Sequence, residues 1–428
     1  MNTKGEGLDF MHTEINQKYM TNKTKLSKIE MVAVIILIGF TLSVLFHYII
    51  GNYFHYGFPW NNFLFRPDNA LDDFKNAYMY AEGFNPYSVI TAQRNYPPFG
   101  FLIIGLFTFI EKNISFFIFE TSFILFLLAY LYKSTLGLEK FTRMKNTFII
   151  FFMSFPILFT LDRANFEIVV FMFLFLFIYF YERNKINTSV VFLAMAIAMK
   201  LFPLVFLVIF LSDKRYKEVL ITGGLVILLT LLSLLIFQGD VATNISHFAH
   251  SLNLYNRDYV IGSGGFGYGH SLFGVLKLFF MAVIDAGTSS FDTLELIKIS
   301  MRPYFIFVII LFLLISTYII KYETELWKKM LLLVISVNLF PYVSADYKLI
   351  HFFIPLMLFF ISRSDNDSYI KYSILFGLLL MPKSFYWIMS EQGYVSASII
   401  LNPLIMCMFI VFLMKDKYGV LNNKIRKV

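Results

Sequence analysis

The sequence predicts an all-α membrane protein, a bundle of about twelve transmembrane helices when span length and charge are read together. Three observations carry that expectation. Of 428 residues, 58% are hydrophobic and 15% charged, a balance that no water-soluble packing can hide. Apolar runs close to the ~20 residues that cross a bilayer as helix recur from Ile29 to Met414. Runs such as FMFLFLFIYF at 171–180 are apolar on every face, whereas a transmembrane barrel alternates with period two.

In chain order, residues 1–28 are polar with five lysines, and no small-residue cleavage site follows the first apolar run. The expectation is a disordered cytoplasmic tail followed by a retained first span rather than a cleaved signal. Most of the 36 lysines and arginines fall in seven segments: 1–28, 133–145, 183–185, 214–217, 321–329, 363–371 and 415–427. The positive-inside rule places these in the cytoplasm with both termini, so the number of crossings is even. Segments 97–110 and 271–284 are too short for full spans and are read as interfacial or re-entrant helices. The run 188–211 is one long helix or two short ones turning outside near Lys200 and Pro203; the turn keeps 214–217 inside. Exposed on the outer side are then 51–112, 162–167, the turn at Lys200, 238–302, 342–348 and 383–395. No internal repeat is present, and one membrane domain divides functionally at Phe237 into 29–237 and 238–414, with 415–428 a second cytoplasmic tail.

The net charge of +8 lies mostly beside the spans, where it orients the chain, so no nucleic-acid partner is expected. Cys407 is the single cysteine and sits in an expected span, which excludes an intrachain disulfide and a thiolate metal site. No clustered metal-ligand motif occurs, and neither metal nor another cofactor is expected.

Chemistry-bearing residues gather in the outer segments. Asp72 and Asp73 are adjacent in LDDFKNAYMYAEGFNPYSV; two carboxylates so close raise one pKa and suit it to proton abstraction, though they also suit the first turn of a surface helix. LDRANFE packs Asp162, Arg163, Asn165 and Glu167 between two spans, a polar cluster or a solvated turn. Lys200 lies deep in apolar AIAMKLFP, where a charge costs ~2.5–3.5 kcal/mol unless it is paired, functional or snorkelling. SADYKLIHFFIP brings Asp346 and Lys348, a local ion pair or a site, ahead of His351. The glycines of GSGGFGYGH supply turns and suit acceptor binding; no lysine-serine or lysine-threonine pair follows to make a phosphate loop. Carboxylates that take a hydroxyl proton and cations that hold a departing phosphate are the inventory of sugar transfer from an anionic lipid. A lipid-linked glycan flippase, a glycan polymerase or ligase, and a structural scaffold are the competing readings.

The ordered set DF-x-x-A-Y, NPY, YPP, LDRANFE, AMKLFP and DYKLIHFFIP, from about Asp72 to Pro355, resembles the GT-C glycosyltransferases. It is most similar to the polyprenol-phosphate-mannose-dependent mannosyltransferases. The resemblance implies a GT-C type bundle with extracytoplasmic catalytic loops, a catalytic core at 29–237 with first outer loop 51–112, and a variable module at 238–414 with outer loop 238–302. It places the catalytic base on Asp73, with Asp72 in reserve, and a second acidic position on Asp162. Lys200 and Lys348, placed at outer span ends, with Arg163, Asp162, Asn165 and Tyr96, are the expected donor-phosphate or sugar contacts. Tyr96 stands where relatives carry lysine, and Ala164 where they usually carry glycine. The implied reaction is a single inverting displacement that moves a hexose, mannose first, from a polyprenyl-phosphate donor to a lipid or glycan acceptor. The expected location is a bacterial cytoplasmic membrane, with the bilayer itself as partner.

Overall fold

The computed structural model describes residues 6–88, 95–136, 138–262, 266–285, 293–362, 369–388 and 394–425. Among these, seventeen α-helices and one small β-hairpin follow in order. Helix α1 (Glu6–Asn52) takes in most of the tail expected to be disordered. The segment expected as the first outer loop, 51–112, holds α2 (Asp72–Ala81) and α3 (Pro98–Phe107). Then come α4 (Lys112–Ser134), α5 (Lys140–Met153), α6 (Phe155–Arg163), α7 (Glu167–Glu182), α8 (Ile186–Met199), α9 (Leu207–Ser212) and α10 (Tyr216–Ile236). The second half contains α11 (Val241–Tyr255), α12 (Leu272–Asp285), α13 (Thr293–Lys321), α14 (Leu326–Leu339), α15 (Phe353–Ile361), α16 (Tyr369–Leu380) and α17 (Ser398–Ile425). Strands β1 (Tyr386–Ile388) and β2 (Tyr394–Ser396) pair antiparallel before α17.

Among the described residues, five helices are long and apolar enough to cross a bilayer, six when α5 and α6, bent by 52° at Ser154, are taken as one broken span. Other apolar segments that the sequence counts toward twelve crossings are shorter helices, among them α8 and α16. The segments 97–110 and 271–284 are helices of ten and fourteen residues, half to three quarters of a bilayer-spanning length.

The ambiguity at 188–211 is settled by the two ends of α7. Lys200, just after α8, bonds to Glu167 at the start of α7. Asp213, just after α9, accepts a hydrogen bond from Tyr181 near its end. The chain therefore climbs through α8, turns at Lys200 and returns through the 3-10 turn Phe202–Phe206 and α9. Pro203, which lacks the amide hydrogen of a continuing helix, sits in that turn.

Basic residues collect at the Glu182 end of α7: Lys133 and Arg183 lie over Tyr179, and Lys329 donates to Ser212 at 3.0 Å. Asp73, Glu167 and Lys200 gather at the other end, ~24 Å away along a helix of sixteen residues. One contiguous apolar core runs from Ile29 to Leu413 across the expected boundary at Phe237.

Candidate active site

Three short connections build the site. Helix α2 buries Phe74, Ala77, Tyr78 and Ala81, one face at helical spacing. Phe74 stacks on Phe166, with centroids 5.6 Å apart and planes at 9°, and meets Phe119 at 5.3 Å. That anchor leaves Asp73, the residue before it, turned to the other side. Helix α6 stops at Ala164, which is left-handed at φ 47° and ψ 45°, and α7 begins three residues later. The reversal sends Arg163, Asn165 and Glu167 into one region.

Arg163 donates to Asp73 Oδ1 through Nη2, to the Asn69 carbonyl at 2.7 Å through Nη1, and lies 3.9 Å from the Phe65 ring centroid. Asn165 Nδ2 donates to Asp73 Oδ2 at 2.7 Å. The Asn165 carboxamide oxygen accepts the Glu167 backbone N–H at 2.8 Å, satisfying one of the orphan donors at the start of α7. Asp73 is thus held by two donors, yet its side chain keeps 23% of its exposure.

Glu167 is fully buried and forms the second pair. Lys200 Nζ donates to its Oε2 at 2.5 Å, and His351 Nε2 lies 2.7 Å from Oε1. The Lys200 ammonium also lies 5.0 Å from the Tyr96 ring and 5.7 Å from the Tyr347 ring, a pair of π faces that favour a cation. Burial, with the charges of Asp73 and Glu167 adding to it, pushes the Tyr96 hydroxyl well above its usual range. Burial likewise pushes Tyr255 up to about 12, against the opposing charge of Lys200. Both phenols are therefore neutral hydroxyl donors at physiological pH. A model of glycosyltransferase family 87 matches residues 95–337, more than half of the chain.

The chain belongs to glycosyltransferase family 87. Comparison with curated proteins and with solved structures gives no match. Membership makes it a GT-C type membrane glycosyltransferase, consistent with its candidate membrane spans. The matched stretch includes Tyr96, Arg163, Asn165, Glu167 and Lys200; Asp72 and Asp73 precede it and Lys348 follows it.

The remaining expected site residues of this family 87 glycosyltransferase have other surroundings. Asp162 accepts the Phe65 N–H at 3.0 Å on its carboxylate and the Leu71 N–H at 2.8 Å on its carbonyl, so it ties down the first outer loop. The Asp72 side chain makes no hydrogen bond or ion pair among the described residues, and its charge acts on Arg163 only as the smallest of several influences. Lys348 donates to the Val337 carbonyl at 3.0 Å and lies 4.5 Å from the Phe202 ring. The local ion pair between Asp346 and Lys348 does not form. Asp346 instead meets His270 Nδ1 at 2.7 Å and accepts from Ser398 at 3.2 Å, while His270 Nε2 is 3.0 Å from Ser344 and 3.1 Å from Asn338. Within the glycine-rich stretch, residues 263–265 lie outside the described residues.

Glu167 and His351 complete the site without having been singled out for it. A carboxylate at the head of the apolar run 168–180 carries the same signal as Lys200, a charge that lipid does not tolerate unpaired. His270 gave no sign in the sequence, since its partners lie 68 to 76 residues away. Among the described residues, no group of three or more His, Cys, Asp or Glu is arranged to hold a metal ion.

Proposed function

We propose that this chain is an inverting hexosyltransferase that moves a hexose, mannose first, from a polyprenyl-phosphate donor to a lipid or glycan acceptor at the outer face of the membrane. The observation that carries the reading is Asn165, whose one side chain bonds to Asp73 and to the head of the helix that bears Glu167. A candidate base and a candidate phosphate-binding cation are thereby locked into one rim.

Asp73 is the general base. Each of its oxygens accepts one hydrogen bond, and a carboxylate oxygen has a second lone pair for the acceptor hydroxyl. As that hydroxyl oxygen bonds to the anomeric carbon, its proton passes to Asp73. The bond from the anomeric carbon to the phosphate oxygen breaks, and polyprenyl phosphate leaves with the electron pair. Lys200 spends one of its three N–H bonds on Glu167 and offers the others to the growing charge on the phosphate. Lys348, behind Phe202, adds positive potential, and Tyr96 supplies a hydroxyl where a lysine is absent. In this reading the long helices cross the membrane, short pairs such as α8 with α9 enter and return, and both termini lie in the cytoplasm. A flippase needs no oriented base, and the two donors on Asp73 favour transfer over passage.

The test is turnover of labelled polyprenyl-phosphate hexoses with lipid acceptors by the purified, reconstituted chain. Asp73→Asn should lower turnover by ~10²–10⁴-fold, about 3–5 kcal/mol of barrier, while donor binding persists. Asp72→Asn should do far less. Normal turnover in Asp73→Asn would remove the assignment.

A further inference from the structure

At the end of the bundle opposite the site, a cavity of about 310 Å³ opens between α4, α7 and α15. Its deeper wall is apolar, built by Phe175, Ile178, Ile354, Met357 and Leu358. Its mouth holds Lys133 and Arg183, both over a single aromatic ring: the Lys133 ammonium lies 5.4 Å and the Arg183 guanidinium 3.5 Å from the Tyr179 centroid. Neither cation has an ion pair among the described residues. Arg183 spends one N–H on the Tyr179 carbonyl at 3.1 Å, and Glu182 is the one acidic residue that lines the cavity. Two cations held to one ring leave a net positive mouth above an apolar slot.

From this geometry we infer a binding site for an anionic phospholipid of the leaflet at the basic end of the bundle. The headgroup phosphate sits between Lys133 and Arg183, and an acyl chain fills the slot between α4 and α15. Both parts are required by the surroundings. An apolar cavity that opens beside spanning helices is filled by lipid chains, and a basic pocket between such helices selects the lipids with anionic headgroups. A phospholipid is the occupant rather than a polyprenyl phosphate because the bilayer supplies it as solvent, in large excess over any carrier lipid. A helix-end role for the two cations, offsetting the carbonyl dipoles at the ends of α4 and α7, is the competing account.

The experiment uses the full chain reconstituted in bilayers that mix phosphatidylglycerol with phosphatidylcholine, followed by mild delipidation and quantification of lipid retained per protein. The wild-type chain should retain phosphatidylglycerol in preference to phosphatidylcholine. The pair Lys133→Gln and Arg183→Gln should weaken that preference by about 30-fold, the value of two surface cations facing an anionic lipid. The charge-matched pair Lys140→Gln and Lys145→Gln, at the same end but off the cavity, should leave it intact. A cavity-filling variant, Leu358→Trp, should reduce retention while keeping both charges, and it guards against loss through misfolding at the mouth. The inference fails if wild type shows no preference, if the control pair loses it equally, or if Leu358→Trp retains as much phosphatidylglycerol as wild type. It also fails if polyprenyl phosphate displaces phosphatidylglycerol at equal mole fraction.

Discussion

A carboxylate with no solvent exposure persists only where donors replace water, and Glu167 has two, Lys200 and His351. Removing one side of such a pair leaves the other charge stranded. Glu167→Gln should therefore lower stability by about 3 kcal/mol, the low end for a broken buried pair. The double variant with Lys200→Met should recover much of that loss, because no unpaired charge remains. Thermal unfolding in detergent measures both, and a double variant less stable than Glu167→Gln would show that the two do not act as a pair. Lys200→Met alone should weaken donor binding, since methionine keeps the apolar stem and discards the ammonium; unchanged donor affinity would leave Lys200 a structural cation. Ala164 carries the turn that aims Arg163 and Asn165, and its left-handed backbone costs an L-residue roughly 1–2 kcal/mol. Ala164→Gly should be tolerated with activity intact, whereas Ala164→Val should destabilise the chain and reduce turnover, because a branched side chain fits that conformation worst.

Among the elements, α1 and α16 pack tightly, and glycines allow it. A Cβ on Gly39 would lie 2.5 Å from Met381, and one on Gly377 would lie 2.7 Å from the Ile35 side chain. Both distances are shorter than any real contact, so small residues set the helix separation. Gly377→Leu should cost about 1–3 kcal/mol through overpacking. Ile35→Ala in the same chain should return part of it, and a melting temperature unaffected by Gly377→Leu would contradict the close approach. Helix α2 depends on a different device. Phe74 is clasped by Phe107, Phe116, Phe119 and Phe166, so four aromatic rings from α3, α4 and the head of α7 hold the outer-loop helix on which Asp73 rides.

For the molecule as a whole, the site joins both halves of the chain. Asp73, Arg163, Asn165, Glu167 and Lys200 come from before Phe237, and Tyr347, Lys348 and His351 from after it. The two ends of the bundle differ, with Asp73, Glu167 and their cations at one end and Lys133, Arg183 and Lys329 at the other. That polarity predicts the threading. In a chain with Cys407→Ala, a membrane-impermeant thiol reagent should label Ser88→Cys on the first outer loop in intact cells and leave Lys140→Cys untouched. Both positions are exposed, so access reports sidedness alone; labelling of position 140 from outside would invert the molecule. Ser344 is unsuitable as a reporter despite its outer loop, because it is buried against His270.

The sequence by itself determined that this is a helical membrane protein, which apolar runs are short, and that Asp73, Arg163, Asn165 and Lys200 are candidates for one site. Those features are local: hydropathy over ~20 residues, a proline that interrupts a helix, and a charge that an apolar environment does not leave unpaired. Motif resemblance supplied the ordering of the site residues for the same reason, since each motif is short. Only the tertiary structure decided the partners. That Lys200 answers Glu167 and His351, that Asp162 holds a loop, and that Asp346 turns from Lys348 two residues away to His270 seventy-six residues away depends on which helix ends the packing brings together. Sequence spacing along one helix or turn does not encode a pairing between elements; the apolar core, by fixing where each helix stops, does.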